Sequence, residues 1–255
     1  MSTTIFPEKA ETASDSLLHC THLAVQLPEV TVYSIHPHHD ELILSGGGRA
    51  PSALWLKAIK KKRPVWCIDH GIDICYQTGI LPQRLIGDGD SASPAAWQWA
   101  MDNHVPINKF NADKDLTDTQ LALEMVMSDS NISEPFVILT GGLGGRLDHA
   151  FSTIYSFANS QLQGCIADDK EALFFLQDKM ALKLNFSHKP KAISLLPLSP
   201  HVKGVNLSGV RWPLQKSNLY QTNPYTVSNR LADNSTEILA STTEGILGLY
   251  ICWQE

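Results

Sequence analysis

The chain has 255 residues, of which 43% are hydrophobic and 18% charged, with a formal net charge of −6. That is an ordinary globular composition, long enough for one large domain or two modest ones with a full apolar core. The acidic balance argues against a nucleic-acid surface as the main function. No secretory leader is seen, and no apolar run approaches the roughly 18 residues a membrane helix needs.

Residues 1–15 are polar and read as disordered. His36-Pro37-His38-His39-Asp40 carries metal-ligand residue types. However, Glu41 stands where the H-x-H-x-D-H pattern of metallo-β-lactamase-like hydrolases has its last His. The cluster therefore reads as a surface loop, and residues 1–40 as an N-terminal extension without an assigned role. The five cysteines (Cys20, Cys67, Cys75, Cys165, Cys252) show no C-x-x-C pairing and sit mostly in apolar runs. They read as buried thiols in a reducing cytoplasm.

A strand–helix rhythm begins at Leu42. An apolar run at 42–44 leads into Ser45-Gly46-Gly47-Gly48-Arg49-Ala50-Pro51, then into a helix with Leu54, Leu56, Ala58 and Ile59 among its apolar positions. The basic run Lys60-Lys61-Lys62-Arg63 reads as its solvated end. The next strand, 65–68, stops at Asp69-His70-Gly71. The strand at 84–86 stops at Gly87-Asp88-Gly89-Asp90-Ser91, and the one at 105–110 stops at Asp113-Lys114-Asp115-Leu116-Thr117-Asp118. Thr117 and Gln120 form a capping-box pattern, which puts Asp118 in the first turn of a helix with Asp115 just before it.

Asp and Gly are common in turns and caps, and either acidic loop alone carries little weight. Two of them, each ending an apolar strand, are better explained together. In a parallel sheet both would lie at the carboxyl ends of strands, where open α/β folds place their ligands. Carboxylates converging there repel one another unless a cation neutralises them, and hard oxygen donors with no nearby Cys favour Mg²⁺.

The run 136–140 is the clearest buried strand. It delivers Gly141-Gly142-Leu143-Gly144-Gly145-Arg146-Leu147-Asp148-His149, followed by a helix marked by Ala150, Ile154, Phe157 and Ala158. Glycines between a strand and a helix let backbone N–H groups approach a phosphate, and Arg146 adds a bidentate donor. The loop matches neither the dinucleotide fingerprint nor a Walker loop. Beyond Ala172, runs at 173–176, 193–198, 202–207, 238–241 and 246–253 are separated by Pro, Asn, Gly and Ser, without a helical period. The expected fold is thus a Rossmann-like, mostly parallel α/β domain (41–168) followed by an antiparallel β-sandwich domain (169–255).

With these motifs in place, the chain resembles the thiamine pyrophosphokinase family. Gly87 to Ser91 looks like its G-D-x-D-S loop, Asp113 to Asp118 its D-K-D-x-T-D segment, and Gly141 to His149 its G-G-x-G-G-R-x-D-H loop. Gly209-Val210-Arg211-Trp212-Pro213-Leu214 and Val227-Ser228-Asn229 are similar to two short motifs on the thiamine side. Asp69-His70-Gly71 departs from the more usual Asp-Gly-Gly, and Gln83 stands where an acidic residue is common.

The resemblance implies transfer of the terminal pyrophosphate of ATP to thiamine, giving thiamine diphosphate and AMP. It also implies a homodimer whose site combines one subunit's α/β domain with the other's β domain. On that pattern Asp88, Asp90 and Asp118 hold Mg²⁺ with Asp115 nearby, and Lys114 offsets developing charge. Arg146 and the amides of Gly142, Gly144 and Gly145 bind phosphates beside Asp148 and His149, and Gly46 and Asp69 line the nucleotide side. Trp212 offers an aromatic face to the thiamine cation, with Ser228 and Asn229 as polar contacts. Two other readings of the acidic loops are a Mg²⁺-dependent nucleotide pyrophosphohydrolase and a binding protein without catalysis.

Overall fold

The computed structural model describes residues 19–110 and 115–254. The polar residues 1–15 and Asp113 and Lys114 lie outside the described residues.

Among the described residues nine strands form one sheet and six another. The centre of the larger sheet is parallel. It runs β8 (Gln163–Ala167), β7 (Pro135–Thr140), β3 (Asp40–Ser45), β4 (Val65–Ile68), β5 (Arg84–Ile86), β6 (Ile107–Asn108). The chain fills it outward from β3 to β6, then crosses back to place β7 on the other side of β3. The order therefore reverses between β3 and β7, the switch point at which open α/β sheets leave a crevice. Registers pair Ser45 with both Thr140 and Cys67, and Ile68 with Ile86, so the carboxyl ends of four strands finish nearly level.

The strands beyond residue 168 divide. β9 (Glu171–Leu176), β15 (Leu247–Cys252) and β11 (Ala192–Pro197) extend the large sheet antiparallel from β8. β10 (Ala181–Phe186), β14 (Glu237–Ser241), β12 (His201–Ser208) and β13 (Leu214–Tyr220) build the second sheet. Its other edge is a hairpin of β1 (His22–Gln26) and β2 (Val30–Ser34), with β2 paired to β10. The N-terminal extension thus contributes two strands that its sequence pattern does not announce. His36 to His39 form the loop between β2 and β3, and His39 pairs with Glu134 at 3.2 Å.

Alternation along the parallel strands feeds two cores. Ile43, Val65, Cys67 and Leu85 face one side, where α1 (Ala53–Lys60), α2 (Ile72–Thr78), α3 (Pro94–Asp102) and the second sheet pack. Leu42, Leu44, Trp66 and Ile86 face the other, against α4 (Asp118–Ser128) and α5 (Leu147–Asn159). There Phe157 stacks on Phe175 with ring centres 4.6 Å apart.

The expected helix after the first glycine loop is α1, whose buried stripe is Trp55, Leu56 and Ile59, while Leu54 is 82% exposed. One expectation is corrected here. Arg63 is not solvated; it is 5% exposed, donates to Glu41 at 2.8 Å and also reaches the Ile59 carbonyl. A buried guanidinium needs such partners, and the run of lysines before it hid that difference. All five cysteines are buried thiols. Among the described residues no helix is long and apolar enough to cross a membrane.

Candidate active site

The level strand ends open onto a cavity of about 1160 Å³. Gly46, Asp69, Asp88, Asp90, Asp118, Gly142, Gly144, Gly145, Arg146 and His149 all line it, as do Arg49, His70 and Thr119, which the motifs did not single out.

One wall is backbone. The ladder between β3 and β7 continues past both strands: Gly46 N–H donates to Thr140 O and Gly48 N–H to Gly141 O, both at 2.7 Å, and Arg49 N–H to Leu143 O at 2.8 Å. Two glycine-rich loops can approach this closely only without side chains. A Cβ on Gly48 would lie 2.6 Å from the Gly141 oxygen. The wall ends at the first turn of α5, where Arg146, His149 and Ala150 line the cavity; helix N-termini are common anion sites.

The facing wall is acidic. Asp69, at φ +43°, ends β4 in a short 3-10 turn, and Gly87 leaves room for its carboxylate, since a Cβ there would be 1.7 Å from Asp69 Oδ1. Burial, then the neighbouring carboxyls of Asp118 and Asp88, push Asp69 up to about 7. Asp88 Oδ1 accepts the Asp90 N–H at 3.0 Å, and the charge of Asp88 raises the exposed Asp90. Thr117 and Gln120 close the expected capping box, which places Asp118 at the start of α4.

The donor set fits a hard divalent cation. Neighbouring carboxyls raise the pKa of Asp69 and of Asp90, and Asp69 Oδ1 is buried with no hydrogen-bond partner among the described residues. No three described His, Cys, Asp or Glu side chains already close on one point. That is compatible with Mg²⁺, which usually takes one or two carboxylates and completes its shell with water and phosphate.

The remaining sites lie elsewhere. Asp115 is exposed and does not line the cavity. Asp148 is also outside the lining and binds the Arg146 fork through both oxygens, at 3.1 and 2.6 Å. Trp212 and Asn229 meet in the C-terminal half. The Asn229 amide accepts from Trp212 N–H at 3.2 Å and donates to Trp212 O at 2.8 Å. Ser228, at φ +60°, donates its N–H to Ser194. Trp212 is 56% exposed, with the Arg211 guanidinium 5.1 Å from its ring centre. None of these three lines the cavity.

Residues 55–166 match the profile of the thiamin pyrophosphokinase catalytic domain, and residues 180–247 that of its vitamin B1 binding domain. The chain belongs to the thiamin pyrophosphokinase family. It is 23% identical over 168 residues to thiamine pyrophosphokinase from Bacillus subtilis, covering 64% of this chain and 76% of that one. It is 22% identical over 165 residues to thiamine pyrophosphokinase 1 from Oryza sativa, covering 62% of each. The crystal structure of the Bacillus subtilis thiamine pyrophosphokinase superposes with a TM-score of 0.71 at 19% identity, covering 85% of this chain and all of that one. Yeast thiamin pyrophosphokinase gives 0.64 at 18% identity, covering 85% and 87%. The thiamin pyrophosphokinase fold thus accounts for the α/β half and the antiparallel second sheet together.

Proposed function

We propose that this chain transfers the terminal pyrophosphate of ATP to the hydroxyethyl oxygen of thiamine, giving thiamine diphosphate and AMP. The observation that carries this reading is the single cavity in which four carboxylates face a backbone wall ending in a helix N-terminus. Such transfers need positioning and charge neutralisation more than covalent help from the protein. The thiamine oxygen bonds to the β-phosphorus, the bond from that phosphorus to the bridging oxygen of AMP breaks, and the alcohol proton is released.

Family members use ATP and a divalent metal, taken here as Mg²⁺. Asp88, Asp90 and Asp118 are the proposed ligands, with Asp115 just before the cap of α4 and Asp69 behind them. When bound, the ion would neutralise charge on the phosphate oxygens. Amides of Gly142, Gly144 and Gly145 bind the phosphates, with Gly46 and His149 at either end of that wall. Arg146 contributes when its fork turns from Asp148, and Lys114 offsets charge. Trp212, Ser228 and Asn229 receive thiamine. Because they do not line the nucleotide cavity of their own chain, the proposal includes a homodimer in which the partner supplies them, working in the cytoplasm. Residues 41–168 then form the nucleotide side and 169–255 the thiamine side.

The test is release of AMP from Mg-ATP with and without thiamine. AMP formed only with thiamine, and matched by thiamine diphosphate, is the expected result. AMP formed equally fast without it would mean that water is the acceptor.

A further inference from the structure

Arg49 lines the cavity, yet its side chain is tied to residues far along the chain. Its Nε donates to Asp168 Oδ2 at 2.9 Å, and its Nη2 bonds both Asp168 and Glu171. Asp168 is 3% exposed and is itself fixed, because Oδ1 accepts the N–H groups of Lys170 and Glu171 at 2.8 and 3.0 Å. The guanidinium is therefore clamped to the β8–β9 hairpin. On the other side, the Arg49 N–H holds Leu143 O, and a Cβ on Gly144 would lie 2.8 Å from the Arg49 Cβ and 3.6 Å from Nη1. Nη1 itself makes no hydrogen bond among the described residues.

Charge alone does not explain this arrangement. One guanidinium facing two carboxylates leaves no surplus positive charge to attract a phosphate. What the fork supplies is a fixed position, which a lysine ammonium could not reproduce. We propose that Asp168 is a positioning residue for the nucleotide side of the cavity: through Arg49 it holds the two glycine loops at the spacing at which amides of the 141–145 loop donate to the phosphate chain. The inference rests on the Mg-ATP reading and adds to it a residue 119 positions away in sequence from the one it orients.

The test uses the full chain and measures binding of Mg²⁺ with α,β-methylene-ATP, in which the bond broken in the reaction is replaced. It is run beside steady-state kinetics. Asp168→Asn and Arg49→Lys are each expected to weaken binding at least ten-fold and to raise KM for Mg-ATP by a similar factor, with KM for thiamine within two-fold. Arg49→Ala combined with Asp168→Asn should be no worse than Arg49→Ala alone. Should Asp168→Asn fail to fold, Arg49→Lys carries the test, since it leaves Asp168 a cationic partner. Arg49→Lys or Asp168→Asn binding within two-fold of wild type would overturn the proposal, as would additive losses in the double variant. Wild-type protein that binds the analogue but makes no thiamine diphosphate would overturn the reaction and leave this inference standing.

Discussion

Gly71 has an ordinary right-handed backbone at φ −58°, so a side chain there brings no conformational penalty of its own. Its difficulty is space. A Cβ would sit 1.8 Å from the Ser45 carbonyl oxygen, a buried backbone atom at the end of β3. Gly71→Ala must push the turn after β4 away by roughly 1.6 Å to reach ordinary contact. That shift also breaks the bond from Ser45 Oγ to Gly71 O, now 2.9 Å. Overpacking costs about 1–3 kcal/mol and the lost buried hydrogen bond about 1 more, so the variant should lose about 2–4 kcal/mol. Gly79→Ala is the control. Its φ is +68° and nothing lies within 4 Å of the added methyl, which leaves only the left-handed cost of about 1 kcal/mol. Urea unfolding with an unchanged m-value measures both. Because Asp69 opens the same turn, Gly71→Ala should also lose Mg-nucleotide binding while Gly79→Ala keeps it. A Gly71→Ala protein as stable as Gly79→Ala would show that the turn relaxes freely and that the close approach of β3 and β4 constrains nothing.

Asp69 holds a proton up to about pH 7 when folded, whereas in the unfolded chain it releases it near its ordinary value of about 4. Between those values the folded state binds the extra proton, so its contribution to stability falls as pH rises; Asp69→Asn should flatten that part of the stability profile in the absence of metal. Mg²⁺ competes with the same proton, and wild-type affinity for it should climb with pH and level off above about 7, as read by isothermal titration. Asp90→Asn should lower kcat by orders of magnitude and shift the Mg²⁺ requirement, and Trp212→Ala should mainly raise KM for thiamine. If sites are shared between subunits, co-refolding Asp90→Asn with Trp212→Ala protein, assayed at thiamine too low for Trp212→Ala alone to turn over, should recover about a quarter of wild-type activity, because half of the dimers are mixed and each keeps one intact site; no recovery would place both residues in one subunit's site. Phe157→Ala removes a fully buried ring stacked on Phe175 and should cost about 3–5 kcal/mol by the same urea titration.

The acidic and glycine loops were legible because each interrupts an apolar strand with residues a turn alone does not require in that number. Thr117 and Gln120 could be read as a cap because both partners of the box lie within four residues. The structure's other choices depend on distance. Arg49 belongs to a loop that reads as glycine-rich, and its anchor Asp168 arrives only when β8 and β9 join the sheet. Arg63 looks like the last of a solvated basic run until Glu41 and Gln26 are brought beside it. Helix α2 does not announce itself, because Ile72, Ile74 and Cys75 pattern as well for a strand as for a short helix; all three are buried. The β1–β2 hairpin is two five-residue strands whose stability comes from pairing with β10, a partner 150 residues downstream in sequence and invisible to local pattern.

A wall made of amides has a selectivity of its own. The Gly46 and Gly48 N–H groups are spent on the neighbouring loop, so on the proposed reading the amides of Gly142, Gly144 and Gly145 are left to read the spacing and charge of a triphosphate, and nothing of the base attached to it. Discrimination between ATP and GTP or UTP has to arise from side chains beyond that wall. If the glycine loop binds the phosphates as proposed, nucleotide preference and phosphate affinity are separable traits, and altering the first need not disturb the seam of glycines behind the second.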